Sequence, residues 1–577
     1  MIRSSFVLFG ALALSLLSNF APAQGIPAHA QKSELATYFL APARIVWTSE
    51  KGVKNADTLL KPGPGQTTLN DFHPPVVLTP GENSGSIVLD FGTQISGYLE
   101  LFAPGGNKAT KRKARIRFGE SVSETMAEPG ERGAQNDHAR RDQIVTLPWL
   151  GKTMVGPSGF RFVRIDAVEG EAPVRFNEIR AVLQIRDIPY LGSFTSNDER
   201  LNQIWNTGAW TVHLNMQDYL WDGVKRDRLV WLGDMHPEVS IINAVFGYND
   251  VVPKSLDLIR DNTPPTAWMN GISSYSLWWI ILHDDWYQYH GNLEYLREQR
   301  DYLTVLLPRV AAMVGENGRE KIGGTRFLDW PTATNPKAVH EGLQAMMVLS
   351  MQSGERIMKL LGEPALAQTC ADAAARLRTY TPPPSGRKSP AALTSLAGLR
   401  DAGDAAAVLK KDGPADLSTF YGYYVIEALG KAGETTAALD MIRQYWGGML
   451  DVGATSFWED FDLAWTHNAG RIDELVPPGK KDIHGDFGAH CYLGFRHSFC
   501  HGWAGGPTAF LSHRVLGIQP AAPGFAKVRI NPDLGDLQWA EGTYPTPHGQ
   551  IQVRHDRQPD GTIQSKVILP PGVVQVP

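Results

Sequence analysis

Thr195-Ser196-Asn197-Asp198-Glu199-Arg200-Leu201-Asn202-Gln203-Ile204-Trp205 is where the hydrophobic pattern of this 577-residue chain changes its period. Ser196-Asn197-Asp198-Glu199 has the form of a capping box, in which a hydroxyl and a carboxylate satisfy backbone N–H groups at a helix start. Leu201, Ile204, Trp205 and Ala209 follow at helical spacing. A helical domain therefore begins here. Upstream, from about 86 to 187, residues alternate with period two in SIVLDFG, GYLELFAP, KARIRFGES, DQIVTLP, FRFVRIDAV and VRFNEIRAVLQIRD, separated by Gly, Pro and polar clusters. Those runs predict the strands of a sandwich.

Downstream, to about Gly517, helical spacing persists through 239–247, 272–290, 293–314, 341–361, 365–379, 417–430 and 434–446. The loops between them, such as 262–271 and 381–390, are rich in Gly, Pro and Asp. This is too much helix for a small bundle, and paired helices closing into a toroid account for it. After Pro523 the pattern returns to strands in KVRINP, GQIQVRHD and TIQSKVILPP. The expected fold is an (α/α)6 helical toroid over 191–520, flanked by an N-terminal β-sandwich over 24–190 and a smaller C-terminal β-sandwich over 521–577.

At the N-terminus, Arg3, an apolar run from Phe6 to Leu17 and Ala21-Pro22-Ala23 form a signal-peptide pattern, assigned to 1–23. The run is too short to span a bilayer, and no later stretch reaches the roughly 20 apolar residues a spanning helix needs. A secreted or periplasmic protein without membrane insertion is expected. Lys and Arg number 55 against 60 Asp and Glu, and no basic run suggests nucleic acid or anionic lipid. A neutral or mildly cationic ligand fits better than a polyanion. The three cysteines, Cys370, Cys491 and Cys500, make no disulfide framework; Cys491 and Cys500 could pair, but buried thiols are the favoured reading. The 16 Trp and 17 Tyr suit stacking on sugar faces as well as core filling.

The densest cluster of chemistry is Asp222-Gly-Val-Lys-Arg226-Asp227-Arg228-Leu-Val-Trp231-Leu-Gly233-Asp234, three acids interleaved with three bases between two helices. Such a mixture can hold one carboxylate ionised while raising the pKa of its neighbour, which divides acid and base roles. The alternative is a structural ion-pair network under a loop. A second acid-bearing turn is Gly453-Ala454-Thr455-Ser456-Phe457-Trp458-Glu459, and for Glu459 the alternative is an exposed loop acid.

The first run resembles the signature of glycoside hydrolase family 78, the bacterial α-L-rhamnosidases, approximately D-C-P-x-R-E-x-x-x-W/Y-x-G-D. It matches at Asp222, Arg226, Trp231, Gly233 and Asp234. Asp227 stands where the family's general acid is usually Glu, and Gly223-Val224 replaces Cys-Pro. Three outcomes follow: Asp227 protonates the glycosidic oxygen in a re-shaped pocket, which we favour; Asp222 or Asp234 takes over; or the substrate differs from the usual one. The second run is similar to G-A-T-T-x-W-E, whose glutamate resembles the general base that activates water, so the resemblance implies Glu459 as base.

Leu89-Asp90-Phe91-Gly92 with Gly97-Tyr98 resembles a strand motif preceding the catalytic domain, and Gly159-Phe160-Arg161-Phe162 resembles G-F-R-Y. Phe327-Leu328-Asp329-Trp330 looks like the G-D-W segment, which implies Asp329 on sugar hydroxyls and Trp330 on the ring, with a core ring as the alternative for Trp330. Ser498-Phe499-Cys500-His501-Gly502 resembles S-L-N-H-Y and implies His501 against the substrate.

The remaining candidates are weighed on pattern. His484, His490, His497 and His501 with two cysteines raise a zinc site, but neither C-x-x-C nor H-E-x-x-H is present, so no metal and no cofactor are expected. His497 and His501 would share a face if 496–514 were helical. Glu238, after Asp234, reads as an N-terminal helix charge rather than an alternative acid. Trp278, Trp279 and Trp286 read as core, and Trp268 in its Pro-rich loop as a sugar platform.

The resemblance implies exo-hydrolysis, with inversion, of a terminal α-linked L-rhamnose or related deoxysugar from an oligosaccharide or glycoside. Asp227 would be acid and Glu459 base; Asp222, Asp234 and Asp329 would bind hydroxyls, Arg226 would tune the carboxylates, and Trp231, Trp330, Trp458 and His501 would shape the pocket. A polysaccharide lyase on the same fold, using Arg226, Arg228, His236 and His501 beside a uronate, and a binding protein that has lost its acid are the competing readings. Oligomeric state is left open by the sequence.

Overall fold

The computed structural model describes residues 26–27, 29–69, 73–81, 84–106, 108–136 and 138–577; the leader expected at 1–23 lies outside them. The chain divides into Met1–Glu34 and Leu35–Pro577, and every element below belongs to the second unit. Its alternating segments form antiparallel sheets. In a seven-stranded sheet, Leu35–Leu40, Glu178–Arg186, Ser86–Ala103, Gly151–Ala167, Lys113–Gly119 and Asp142–Thr146 lie in that spatial order, with Arg44–Thr48 also on Ser86–Ala103. A smaller sheet joins Val53–Lys54, Val76–Leu78 and Val174–Phe176. Leu89, Ile116, Phe160, Val163 and Ile165 pack into one core, and Val224 and Cys500, from loops far downstream, belong to that core too. The apolar face of the strands is thus sealed partly by the segments that flank the candidate site.

The first long helix runs Glu199–Asn215, and its cap is Asp198, whose carboxylate accepts from the N–H groups of Arg200 and Leu201. This corrects the capping-box expectation. Ser196 instead ends a short strand, Ser193–Ser196, paired with Trp539–Thr546 of the C-terminal sheet. Asp is as good a cap as Ser, and standing next to the helix it takes the role.

Helices Leu232–Val245, Val251–Asn262, Ser273–His290, Arg300–Ala311, Pro336–Leu360, Pro364–Leu377, Lys388–Leu396, Ala402–Lys410, Gly422–Lys431 and Thr435–Asp451 follow. Three of these, 251–262, 388–396 and 402–410, are additional to the periodic segments. Glu199–Asn215 packs against both Leu232–Val245 and Thr435–Asp451, and Trp278, Trp279, Trp286 and Trp446 are fully buried between helices. Among the described residues no helix is long and apolar enough to cross a membrane.

After Asp451 the chain runs through loops and short turns to Gly494–Arg496 and Gly502–Gly505 before the short helix Pro507–Phe510. A helix over 496–514 is therefore not formed, and His497 and His501 both have extended backbone. The chain closes with a sheet of Ser193–Ser196, Trp539–Thr546, Gly549–Arg557 and Ile563–Ile568, and a smaller one of Ile518–Pro520, Lys527–Ile530 and Val574–Val576.

Candidate active site

Residues 222–234, 325–333, 459 and 491–503 meet over a cavity of about 370 Å³, a volume in the range of small-molecule sites. Asp222, Arg226, Asp227, Asp234, Glu459 and His501 supply its charged wall. Ile272, Tyr275, Phe327, Trp330, Tyr492 and Trp503 supply an apolar one. A shallower groove of about 320 Å³ on the C-terminal sheet presents Glu541 and Arg554, but these pair with each other at 2.9 Å.

The loop carrying Asp227 is closed by Asp222. The Asp222 N–H donates to Leu229 O, and the Leu229 N–H donates to Asp222 Oδ1, both at 3.0 Å. Inside the loop, Asp227 and Arg228 have φ of 56° and 58°, the left-handed region that Asp tolerates better than most residues. Gly223 bridges to His501, and a Cβ on Gly223 would lie 2.9 Å from His501 Nδ1. The small residue there lets the two segments approach. Asp234 then falls in the first turn of Leu232–Val245, where the helix N-terminus favours negative charge.

Glu459 is anchored from several sides. Its backbone N–H donates to Ser498 O at 3.0 Å, and the Ser498 N–H donates to Oε2 at 3.3 Å. Its carbonyl accepts from Thr419 Oγ1 and Trp503 Nε1, at 2.6 and 2.9 Å. The turn before it is braced by the β-region: Arg161 Nη1 donates to Gly453 O at 2.9 Å while its Nε pairs with Asp90 at 2.9 Å, and the Gln94 N–H donates to Thr455 Oγ1 at 3.1 Å. The strand motif and the G-F-R-F motif thus meet each other and the turn that leads to Glu459.

Arg226 links the two carboxyl groups, Nη1 lying 3.2 Å from Asp227 Oδ1 and Nη2 donating to Glu459 Oε1. Burial works against its charge, but Glu459 and then Asp227 hold it above its ordinary value. Burial likewise opposes a charge on His501, yet Glu459, Asp234 and Asp222 around it raise its pKa to about 9. His501 Nε2 lies 3.0 Å from Asp234 Oδ1. Burial, with Asp234 and Asp227 adding to it against His501, pushes Asp222 well above the usual carboxylate range. Among the described residues no group of three or more His, Cys, Asp or Glu is arranged to hold a metal ion.

The structure brings Asp222, Arg226, Asp227, Trp231, Asp234, Trp330, Glu459 and His501 to this cavity. Two candidates lie elsewhere. Trp458 is completely buried and stacked on Phe499 at 3.8 Å, a core ring beneath the loop rather than a wall of the cavity. Asp329, 1% exposed, is bonded through its oxygens to Thr332, Ser389 and Ser418 and caps the turn Trp330–Thr332; it lines a small adjoining cavity beside Trp330, Glu459 and Trp503 rather than this one. Trp268 is likewise not a cavity wall; its ring is covered by Arg309 at 3.7 Å.

The helix-start reading of Glu238 is also corrected, since Glu238 lies well inside Leu232–Val245, is 1% exposed and, among the described residues, has no hydrogen-bond partner for either carboxylate oxygen. Its spacing of four from Asp234 places it on the same helix face, a signal that was available in the sequence. His497 accepts the Asp460 N–H at 2.9 Å and is buried. Cys370, Cys491 and Cys500 are all free thiols, and Cys491 lines the cavity. Tyr275, Tyr492 and Trp503 were beyond sequence reasoning because only tertiary packing brings them here.

A family model described as the bacterial α-L-rhamnosidase 6-hairpin glycosidase domain matches residues 189–381, and one for the bacterial α-L-rhamnosidase C-terminal domain matches 517–576. The first includes Asp222 to Asp234 and ends before Glu459. An α-L-rhamnosidase of Formosa agariphila is 26% identical over 317 residues, 48% of this chain and 31% of that protein. One of Alteromonas sp. (strain LOR) is 25% identical over 533 residues, 82% of this chain and 54% of that protein. The chain thus spans about half or less of the length of these relatives.

Two solved structures share the fold. A family 78 rhamnosidase of Bacillus sp. GL1 superposes with a TM-score of 0.69 at 23% identity, over 87% of this chain and 55% of that one. A rhamnosidase from Klebsiella oxytoca with rhamnose bound gives 0.64 at 20% identity, over 83% of this chain and 96% of that one. With its helical domain between β-sheet regions, the chain has the fold of these rhamnosidases, and its residues 189–381 and 517–576 match the six-hairpin glycosidase and C-terminal domain models of the bacterial α-L-rhamnosidases.

Proposed function

We propose that this protein is an exported, inverting exo-glycosidase that releases terminal α-linked L-rhamnose, or a related deoxysugar, from a glycan or glycoside. The observation that carries the proposal is the pair of carboxyl groups, Asp227 and Glu459, on either side of the Arg226 guanidinium in one cavity. In the reaction, Glu459 takes a proton from water as its oxygen bonds to the anomeric carbon, the bond to the leaving oxygen breaks, and Asp227 gives that oxygen a proton. Inverting enzymes separate the two carboxyl groups by about 6.5–9.5 Å to admit the water. A guanidinium between them prevents their collapse into direct contact. Asp222, Asp234 and the charged His501 bind sugar hydroxyls, and Trp231 and Trp330 pack on the ring and its methyl group.

A cavity of about 370 Å³ suits one sugar ring and supports cleavage at a chain end. Closure of the helices as an (α/α)6 toroid is supported by the packing of Glu199–Asn215 on Thr435–Asp451, and the domain borders at 24–190, 191–520 and 521–577 rest on the sequence pattern. Export rests on the sequence of 1–23.

A lyase is the second reading, because Arg226, Arg326 and the charged His501 line the same cavity and could neutralise a uronate carboxylate. Incubation with an aryl α-L-rhamnoside and with a rhamnose- and uronate-containing polysaccharide separates the two. Free rhamnose from either supports hydrolysis; a product absorbing in the near ultraviolet as an unsaturated uronate, without free rhamnose, overturns it.

A further inference from the structure

We propose that His138, on a loop of the N-terminal β-region, is a positioning residue that holds the backbone of Asp227 and so sets where its carboxyl group stands for proton delivery. The proposal rests on the reading of Asp227 as the acid. Two contacts carry it. The Asp227 N–H donates to His138 Nδ1 at 3.1 Å, and the same nitrogen lies 3.3 Å from Asp227 Oδ1. One imidazole therefore touches both the backbone and the side chain of a residue in the left-handed region, φ 56°. Left-handed non-glycine backbone persists only where its surroundings hold it.

The division of the carboxyl oxygens gives the contact its chemical meaning. Arg226 Nη1 donates to Oδ1 at 3.2 Å, and among the described residues Oδ2 takes no hydrogen bond. One oxygen is an anchor and the other is left to meet a leaving-group oxygen. Because Nδ1 accepts the backbone N–H, it has no proton to give Oδ1, and His138 acts on the carboxyl group through the backbone it holds. The loop is itself tied down, since Asn136 Oδ1 accepts the N–H groups of Arg141 and Asp142 at 2.7 and 2.8 Å, and the Arg140 N–H reaches Pro157 O at 3.3 Å. An aspartate reaches one methylene less than a glutamate, so its placement depends more on how its backbone is held. A misplacement near 1 Å costs on the order of a hundredfold.

The test uses leaving groups of different quality, because protonation matters for a sugar or alkyl leaving group and little for 2,4-dinitrophenolate. His138→Ala should lower kcat roughly 10- to 100-fold on a sugar-linked rhamnoside while staying within about threefold on the dinitrophenyl rhamnoside. His138→Gln, whose amide oxygen can accept the Asp227 N–H, should recover part of the loss. Equal losses on both substrates, or none on either, with the fold intact by circular dichroism, would overturn the proposal. If the wild type cleaves neither glycoside, the hydrolase reading fails by itself, and the His138 contact is then read from ring nitrogen chemical shifts. Asp227→Asn should move those of His138 selectively; unchanged shifts would refute the contact.

Discussion

The two loops that deliver carboxyl groups to the cavity are built in opposite ways. Glu459 has a side chain 2% exposed, in a turn braced by Arg161, Gln94 and Ser498, with its carbonyl held by Thr419 and Trp503. Asp227 has a side chain 19% exposed, on a left-handed turn closed by Asp222 and touched by Arg226 and His138. The difference suits a division of labour. A base that must position one water gains from rigidity, whereas an acid must meet leaving groups of varied shape at the mouth of the site. Arg226 spans both loops, so its loss reaches each of them.

The largest expected effect is on the braced side: Glu459→Gln should cut turnover toward the upper end of the roughly 10²–10⁴-fold range of general base catalysis, whatever the leaving group. Asp227→Asn should cost toward the lower end, with the deficit shrinking as the leaving group improves. Steady-state kinetics over a leaving-group series reads both, and equal dependence in the two variants would erase the contrast between the loops.

Arg161→Ala tests the brace itself. It removes the partner of buried Asp90, and a broken buried pair costs roughly 3 kcal/mol or somewhat more, the low end applying because Arg44 also faces Asp90 at 2.9 Å. Denaturant unfolding reads the stability, and turnover on a good leaving group should fall with it because Gly453 loses its tether.

A smaller effect is expected from pH. The pKa of His501 is raised from 6.5 to about 9 in the fold, so its stabilising contribution is complete below about pH 6.5 and is lost as pH rises through about 9. Melting temperatures of the wild type should fall over that window relative to His501→Gln, and parallel curves would contradict the charged histidine. The smallest expected effect is none: with Cys370, Cys491 and Cys500 free, a reductant should leave the melting temperature unchanged.

The strands at 86–187 were legible because alternation reports burial directly, and the long helices because their apolar stripes are strong. Lys388–Leu396 was hidden by Pro390 and its Pro-rich approach, although a proline in the first turn does not interrupt a helix. Ala402–Lys410 is too rich in alanine to show a clear stripe. At the site, motif positions identified residues but not which way their side chains turn. Trp458 and Asp329 stand inside recognisable motifs and yet point into the core and a turn cap. His138 carries no local signal at all, since its meaning comes from a residue 89 positions away in the chain.

The most direct test of two carboxyl groups acting across one guanidinium is the stereochemistry of the first product. Hydrolysis of an aryl α-L-rhamnoside followed by proton NMR should show β-L-rhamnose forming first and then mutarotating, with the reaction suppressed in both Asp227→Asn and Glu459→Gln. Initial release of α-L-rhamnose, or full activity in both variants, would contradict the account.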